Sequence, residues 1–243
     1  WTALRQLTEG NPEWRVLVDE LSLLMSQRDS LVRASGDWTE MRSTPLLSLE
    51  AVHLAAKHPR WFILLGWMDI VVLVLTTPST MLWMTAEDTT AMVVALKQCF
   101  NVVDIWRKVQ VAGNIASPLP HPFGENAVYS ALVPVLLSML HDDQDASGER
   151  RRAAARCLVK LSNADWNSSQ SMHTETVIVS LLAFLKPTLT AAALSDEKSE
   201  QLVLSVLFNV VHATNEAMGR FYGLGGPAVI GKYLTSASPS ILK

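Results

Sequence analysis

The sequence predicts an all-α protein built from stacked helical repeats, and three observations lead there. Apolar residues recur at three- and four-residue steps along several segments, the signature of amphipathic helices. No Asn-Gly or Asp-Gly dipeptide occurs, and no Val/Thr alternation bounded by hairpin turns is present. One phrase also returns along the chain: an apolar helix, a polar break, then a short second helix beginning near a large residue. It reads ALRQLTEGNPEW at 3–14, AVHLAAKHPRW at 51–61, ALKQCFNVVDIW at 95–106, CLVKLSNADW at 157–166 and VLFNVVHATNEAM at 206–218. The anchors Trp14, Trp61, Trp106, Trp166 and Met218 lie 47, 45, 60 and 52 residues apart. Self-similarity of this kind outranks any single motif as a guide to fold.

The elements follow in order. After the first copy, residues 14–47 hold no clean unit. Residues 61–84 are apolar enough to pose a membrane span, but Asp69 interrupts the run and Pro78 ends it. A span needs ~20 apolar residues, and a central charge costs at least ~2.5 kcal/mol. Two short buried helices meeting near Gly66 account for the pattern, with His58-Pro59 at the break before them. Segment 88–104 is a third helix with Asp88 or Thr89 as its N-cap. Segment 128–140, VYSALVPVLLSML, is apolar on more than one face, and the acidic break HDDQDASGE follows it. Segment 148–163 then places Ala154, Cys157, Leu158 and Leu161 on one stripe, with Arg152, Arg156 and Lys160 on the neighbouring one. Segment 198–212 repeats that design through Leu202, Val206, Asn209 and Val210. Gly225, Gly226 and Pro227 form a turn, after which Ala228, Ile230 and Leu234 are apolar. Two connections explain the longer spacings: 117–125 holds three prolines, and 163–174 is rich in Asn and Ser.

The phrase at 202–234, LVLSVLFNVVHATNEAMGRFYGLGGPAVIGKYL, resembles an armadillo repeat junction, in which a long third helix, a short helix and a Gly-Gly/Pro turn succeed one another. Residues 128–162 resemble the second and third helices of another unit, and 48–75 fit as a further copy. HEAT repeats are close relatives of this pattern. The resemblance implies a right-handed armadillo-like α-solenoid of about five repeats in one domain, with approximate units 1–47, 48–87, 88–124, 125–174 and 175–243. Spacings of 45 and 47 suit the ~40–47 residue period of such units. A three-helix unit cannot hide its apolar stripe alone, so it stacks on a neighbour. The large anchors then fill the wedge between layers, each buried ring contributing about 2–3 kcal/mol.

Composition excludes several functions. With 49% apolar and 18% charged residues the chain of 243 is not disordered. Twenty Lys plus Arg against 23 Asp plus Glu give a net charge of −3, which argues against nucleic acid as a partner. Two cysteines build neither a disulfide framework nor a four-cysteine zinc site, and point to a reducing compartment. No signal peptide opens the sequence, so the expected location is intracellular, in the cytoplasm. A start at Trp1 reads as a processed chain or an excerpt. No G-x-S-x-G, H-E-x-x-H or G-x-x-x-x-G-K-[ST] motif occurs, so neither catalysis nor a cofactor nor a metal is expected. Cys99 and Cys157 fall on apolar faces, as inert core thiols would.

The function expected is therefore that of a protein-interaction scaffold or adaptor. The resemblance implies a concave groove lined by third helices, where an asparagine clamps the backbone of an extended peptide. Asn101 and Asn209 match that asparagine, since Phe100-Asn101-Val102-Val103 repeats as Phe208-Asn209-Val210-Val211. One turn earlier, Glu50, Lys97, Arg156 and Ser205 stand where import receptors carry tryptophan, so the regular Trp-Asn ladder is broken. Lys97, Asn101, Arg152, Arg156, Lys160, Ser205 and Asn209 form the candidate groove, suited to an acidic or mixed-charge peptide or helix. Arg150, Arg151, Arg152 and Arg156 read as a solvated face with partners in the acidic run 142–149, where Asp142 and Asp143 are solvated in turn. The alternatives are a structural subunit of a large assembly, cytoskeletal or ciliary, bound through its outer surfaces, and a helical membrane protein.

Overall fold

The computed structural model describes residues 59–64, 67–77, 84–113, 127–142, 147–163, 172–186 and 197–235, with positions 16, 19, 23, 26, 57 and 145 besides. These residues are all-helical, with no strand among them. The chain divides into two compact units, Trp1–Gly113 and Asn114–Lys243.

The first unit contains α1 (Pro59–Leu64), α2 (Trp67–Thr76) and α3 (Ala86–Gly113), each packed against the other two. Pro59 opens α1, where the missing N–H has no helical partner to lose. The apolar run thus folds as two short helices, and no described helix is long and apolar enough to cross a membrane. Phe62, Met68, Val71 and Leu75 are buried, as are Met92, Leu96, Cys99 and Phe100 of α3.

Two features of α3 depart from the sequence reading. Its N-cap is Thr85 rather than Asp88 or Thr89. The Asp88 N–H donates to Thr85 Oγ1 at 3.1 Å, and the Thr85 N–H donates back to Asp88 Oδ2 at 3.1 Å. This reciprocal pair satisfies two amide donors at once and sets the helix start three residues before Asp88. The helix also continues past Asp104 and Trp106, where the repeated phrase predicts a break. Residues 86–112 contain neither Gly nor Pro, so nothing in the backbone stops it.

The second unit contains α4 (Ala127–Leu140), α5 (Glu149–Leu161), α6 (Glu175–Leu185), α7 (Glu197–Ala213), α8 (Asn215–Gly223) and α9 (Gly226–Thr235). Helix α4 neighbours α5 and α6, and α5 neighbours α7. Helix α6 also packs on α7, α8 and α9, and α8 packs on both α7 and α9. Alternate helices are therefore side by side. Leu132, Val133, Leu136, Leu137, Met139 and Leu140 are buried, so α4 is covered on two faces, and Pro134 stands on the exposed one. On α5 the predicted stripe Ala154, Cys157, Leu158 and Leu161 is fully buried. Thr174 caps α6 by accepting the Val177 N–H, and Thr214 caps α8 by accepting the Ala217 N–H at 3.1 Å.

The turn predicted over Gly225, Gly226 and Pro227 lies one residue earlier, at Leu224-Gly225, with Gly226 and Pro227 already in α9, and the two glycines serve for separate reasons. Gly225 has φ +75°, a left-handed conformation that side chains disfavour. Gly226 leaves room for a ring: a Cβ there would lie 2.0 Å from Phe221. With α9 starting at Gly226, Val229 is the buried residue and Ala228 is exposed, opposite to the predicted phase. The side chains of Leu234, Trp61 and Trp106 are not among those described, and Trp14 and Trp166 lie outside the described residues. Met218, the fifth anchor, is half-buried on α8.

Side-chain hydrogen bonds between neighbouring helices span 39 residues from His141 at the end of α4 to Ser180 on α6, and 46–48 residues at three later places. Asn209 Nδ2 on α7 donates to Ser162 Oγ and Asn163 Oδ1 beyond the end of α5, 47 and 46 residues back. Arg220 on α8 donates to the His173 carbonyl before α6 at 2.8 Å, 47 residues back. Tyr233 on α9 donates to the Leu185 carbonyl at 3.0 Å, 48 residues back. Burial, with the Glu200 charge nearby, pushes the Tyr233 phenol up to about 12. Burial also lowers the His173 pKa below that of a free imidazole.

Candidate partner-binding surface

The surface is built on the connection that leads into α5. Gly148, at φ 66°, turns the chain into the helix. Asp145 then acts as an anion at the helix N-terminus, where the dipole favours negative charge. Its Oδ2 accepts the Arg151 N–H at 2.8 Å, and its Oδ1 accepts the Ser147 hydroxyl at 3.0 Å. Arg150 pairs with Asp142 through its guanidinium. Arg151 donates to the Asp142 carbonyl at 3.1 Å, and Arg152 donates to the Ser147 carbonyl at 2.9 Å.

This corrects the reading of the arginine cluster as a solvated face. Arg150 and Arg151 are only 7% and 3% exposed, and Asp142 is half-buried. They lie in the first turn of α5, on the side that folds back on the connection, and they fasten it. Arg152, Arg156 and Lys160 then form a separate stripe at steps of four. Arg156 is exposed, and the other two are half-buried.

Helix α7 lies beside that stripe. Ser205 is exposed and donates to the Gln201 carbonyl at 3.0 Å. Asn209 is half-buried and directs its amide nitrogen at the end of α5. Backbone clamping by that nitrogen therefore requires two internal hydrogen bonds to open. Five of the seven predicted residues thus share the α5–α7 pair. Lys97 and Asn101 stand one turn apart on α3 in the first unit, both half-buried.

The repeated Phe-Asn-Val-Val phrase occupies two different environments. Phe100 is fully buried, whereas Phe208 is 62% exposed. The Phe208 ring stacks on His212 with centroids 4.1 Å apart, and His212 Nδ1 lies 3.0 Å from the Phe208 carbonyl. Sequence reasoning missed this exposed pair because four identical residues predict identical surroundings.

Cys99 and Cys157 are both buried, and neither forms a disulfide. Among the described residues no group of three His, Cys, Asp or Glu side chains is placed to hold a metal ion. No family model matches the chain, and no curated protein or solved structure does either.

Proposed function

We propose that the chain is a non-catalytic protein-interaction scaffold, a right-handed armadillo-like α-solenoid that receives an acidic or mixed-charge segment of a protein partner along its third helices. The observation that carries this reading is the 46–48 residue interval of the bonds from α7, α8 and α9 to the layer before. A similar interval at three places is what one repeated structural unit produces, and the 39-residue reach from His141 to Ser180 is a shorter step in the same unit. In that frame α5 and α7 are successive third helices, and their shared surface is the groove. From Arg152 to Leu161, and from Gln201 to Ala213, neither helix contributes a carboxylate. Arg152, Arg156 and Lys160 therefore favour carboxylates on the partner by electrostatic complementarity.

The test is binding of fluorescein-labelled acidic and basic peptides to the full chain, read by anisotropy at two salt concentrations. Acidic peptides bind better at low salt, and the double reversal Arg156→Glu with Lys160→Glu weakens them several-fold. Equal binding by the double variant overturns the reading.

A further inference from the structure

We propose that one flank of α7, the stripe Leu204–Phe208–His212, is a docking edge for an amphipathic α-helix of a partner protein, lying alongside α7 with a basic residue near its N-terminal end. The inference rests on burial at equivalent positions and does not depend on the acidic-peptide groove.

Helices α5 and α7 follow the same burial pattern at an offset of 49 residues. Ala154 and Val203, Cys157 and Val206, Leu158 and Leu207, and Leu161 and Val210 are all buried, while Arg156 and Ser205 are both exposed. Two single positions depart, Arg151 against Glu200 and Ala153 against Leu202, each buried on α5 and half-buried on α7, and one whole stripe departs further. Ala155 is buried but Leu204 is half-buried; Val159 and Asn163 are half-buried but Phe208 and His212 are exposed. Positions 204, 208 and 212 step by four, so they line a single flank of the helix. On α5 the equivalent flank is the one that α7 covers, since Asn163 accepts from Asn209.

Helix α3 supplies a second comparison. The shared Phe-Asn-Val-Val phrase aligns Leu96 and Phe100 with Leu204 and Phe208, and both α3 side chains are fully buried. The stripe is thus fully buried at its two aligned positions on α3, buried to half-buried on α5, and half-buried to exposed on α7. The α7 copy also carries bulkier apolar groups than Ala155 and Val159 on α5. Aromatic side chains, Phe among them, are enriched in the cores of protein interfaces.

Continuity with the α5–α7 packing identifies the occupant as a helix. The ends of α5 and α7 lie together, joined through Asn209, so the incoming helix runs in the same sense as α7. Glu197, which accepts from Gln201 Nε2 at 3.4 Å, is exposed on the same flank seven residues before Leu204, and its negative charge favours a Lys or Arg toward the start of the partner helix. A second copy of this chain offers no matching surface from α5, because Ala153, Ala154 and Cys157 are buried.

The experiment selects binders to the full chain from a displayed library of amphipathic helices and measures their affinity for variants. The expected binders carry apolar residues at i, i+3 or i+4, and i+7, with a basic residue near the N-terminal end. Phe208→Glu weakens them at least tenfold, whereas Val179→Glu, on an exposed position of α6, leaves them unchanged. Melting of the two equivalent variants checks the comparison itself: Val159→Glu lowers the midpoint and Phe208→Glu does not. Four results overturn the proposal. They are binding that survives Phe208→Glu, binding lost to Arg156→Glu instead, self-association abolished by Phe208→Glu, and unfolding of the Phe208 variant.

Discussion

Three glycines within four residues should respond very differently to the same added methyl group. At Gly223 a Cβ meets nothing within 4 Å, and the residue ends α8 in ordinary helical conformation. Alanine there stabilises by about 0.5–1 kcal/mol, through helix propensity and a less flexible unfolded chain. At Gly225 the space is equally open, but φ is +75°, so alanine costs about 1–2 kcal/mol of backbone strain. At Gly226 the Cβ would sit 2.0, 2.2 and 2.4 Å from three carbons of the Phe221 ring. Carbon pairs rest near ~3.5–4 Å, so the ring must retreat by more than about 1 Å. Phe221 is one of two buried residues of α8, so its retreat unseats that helix. Overpacking costs about 1–3 kcal/mol, and this site belongs at the upper end. For a chain of this length each kcal/mol moves the melting midpoint by about 2–4 °C, so Gly226→Ala should melt about 6–12 °C below the parent. Circular dichroism melts and urea midpoints of the three variants give the ranking. A Gly226→Ala protein as stable as the parent, or more stable than Gly225→Ala, would refute the packing described for Phe221.

Asp142→Ala leaves the Arg150 guanidinium buried without its carboxylate. It should cost about 2–3 kcal/mol in urea unfolding, below the full value for a buried pair because Asp142 keeps 26% of its side chain exposed. Asn209→Ala removes both bonds to the end of α5 and should cost about 1–2 kcal/mol by the same measurement, with a larger loss in Asn209→Leu, whose apolar side chain leaves Ser162 Oγ and Asn163 Oδ1 without that donor. Tyr233 ionises near 10 in the unfolded chain but is held to about 12 when folded. Below pH 10 both states are neutral and the effect is fully present. Between about 10 and 12 only the unfolded state loses its proton, so stability falls as pH rises through that window. Tyr233→Phe should show a shallower decline there than the parent, read as urea midpoints against pH.

Helix α5 was the most legible element, because its Ala154, Cys157, Leu158 and Leu161 stripe is pure periodicity. The turn into α9 was legible to within one residue for a similar reason: only glycine tolerates the demands made at Gly225 and Gly226. The buried Arg150 and Arg151 were not. Periodicity assigns charges to the outside, whereas their burial depends on how Gly148 turns the preceding connection and where Asp142 and Asp145 then fall. Thr85 could have been found, since Thr85-Ala86-Glu87-Asp88 has the capping-box form. Phe208 could not. The same four residues bury the ring on α3 and expose it on α7, so the difference lies in what packs alongside, which no local pattern encodes.

The short reach of the ties between helices also sets how the second unit comes apart. Asn209, Arg220 and Tyr233 each hold a residue fewer than 50 positions upstream, like rungs fixed only to the rung below. Peeling away α9 severs the Tyr233 tie and leaves Asn209 untouched; removing α8 as well frees only the His173 carbonyl. Fraying therefore travels from the end inward. Assembly can start at the α4–α5 hairpin and add helices in order, without waiting for distant parts of the chain to meet.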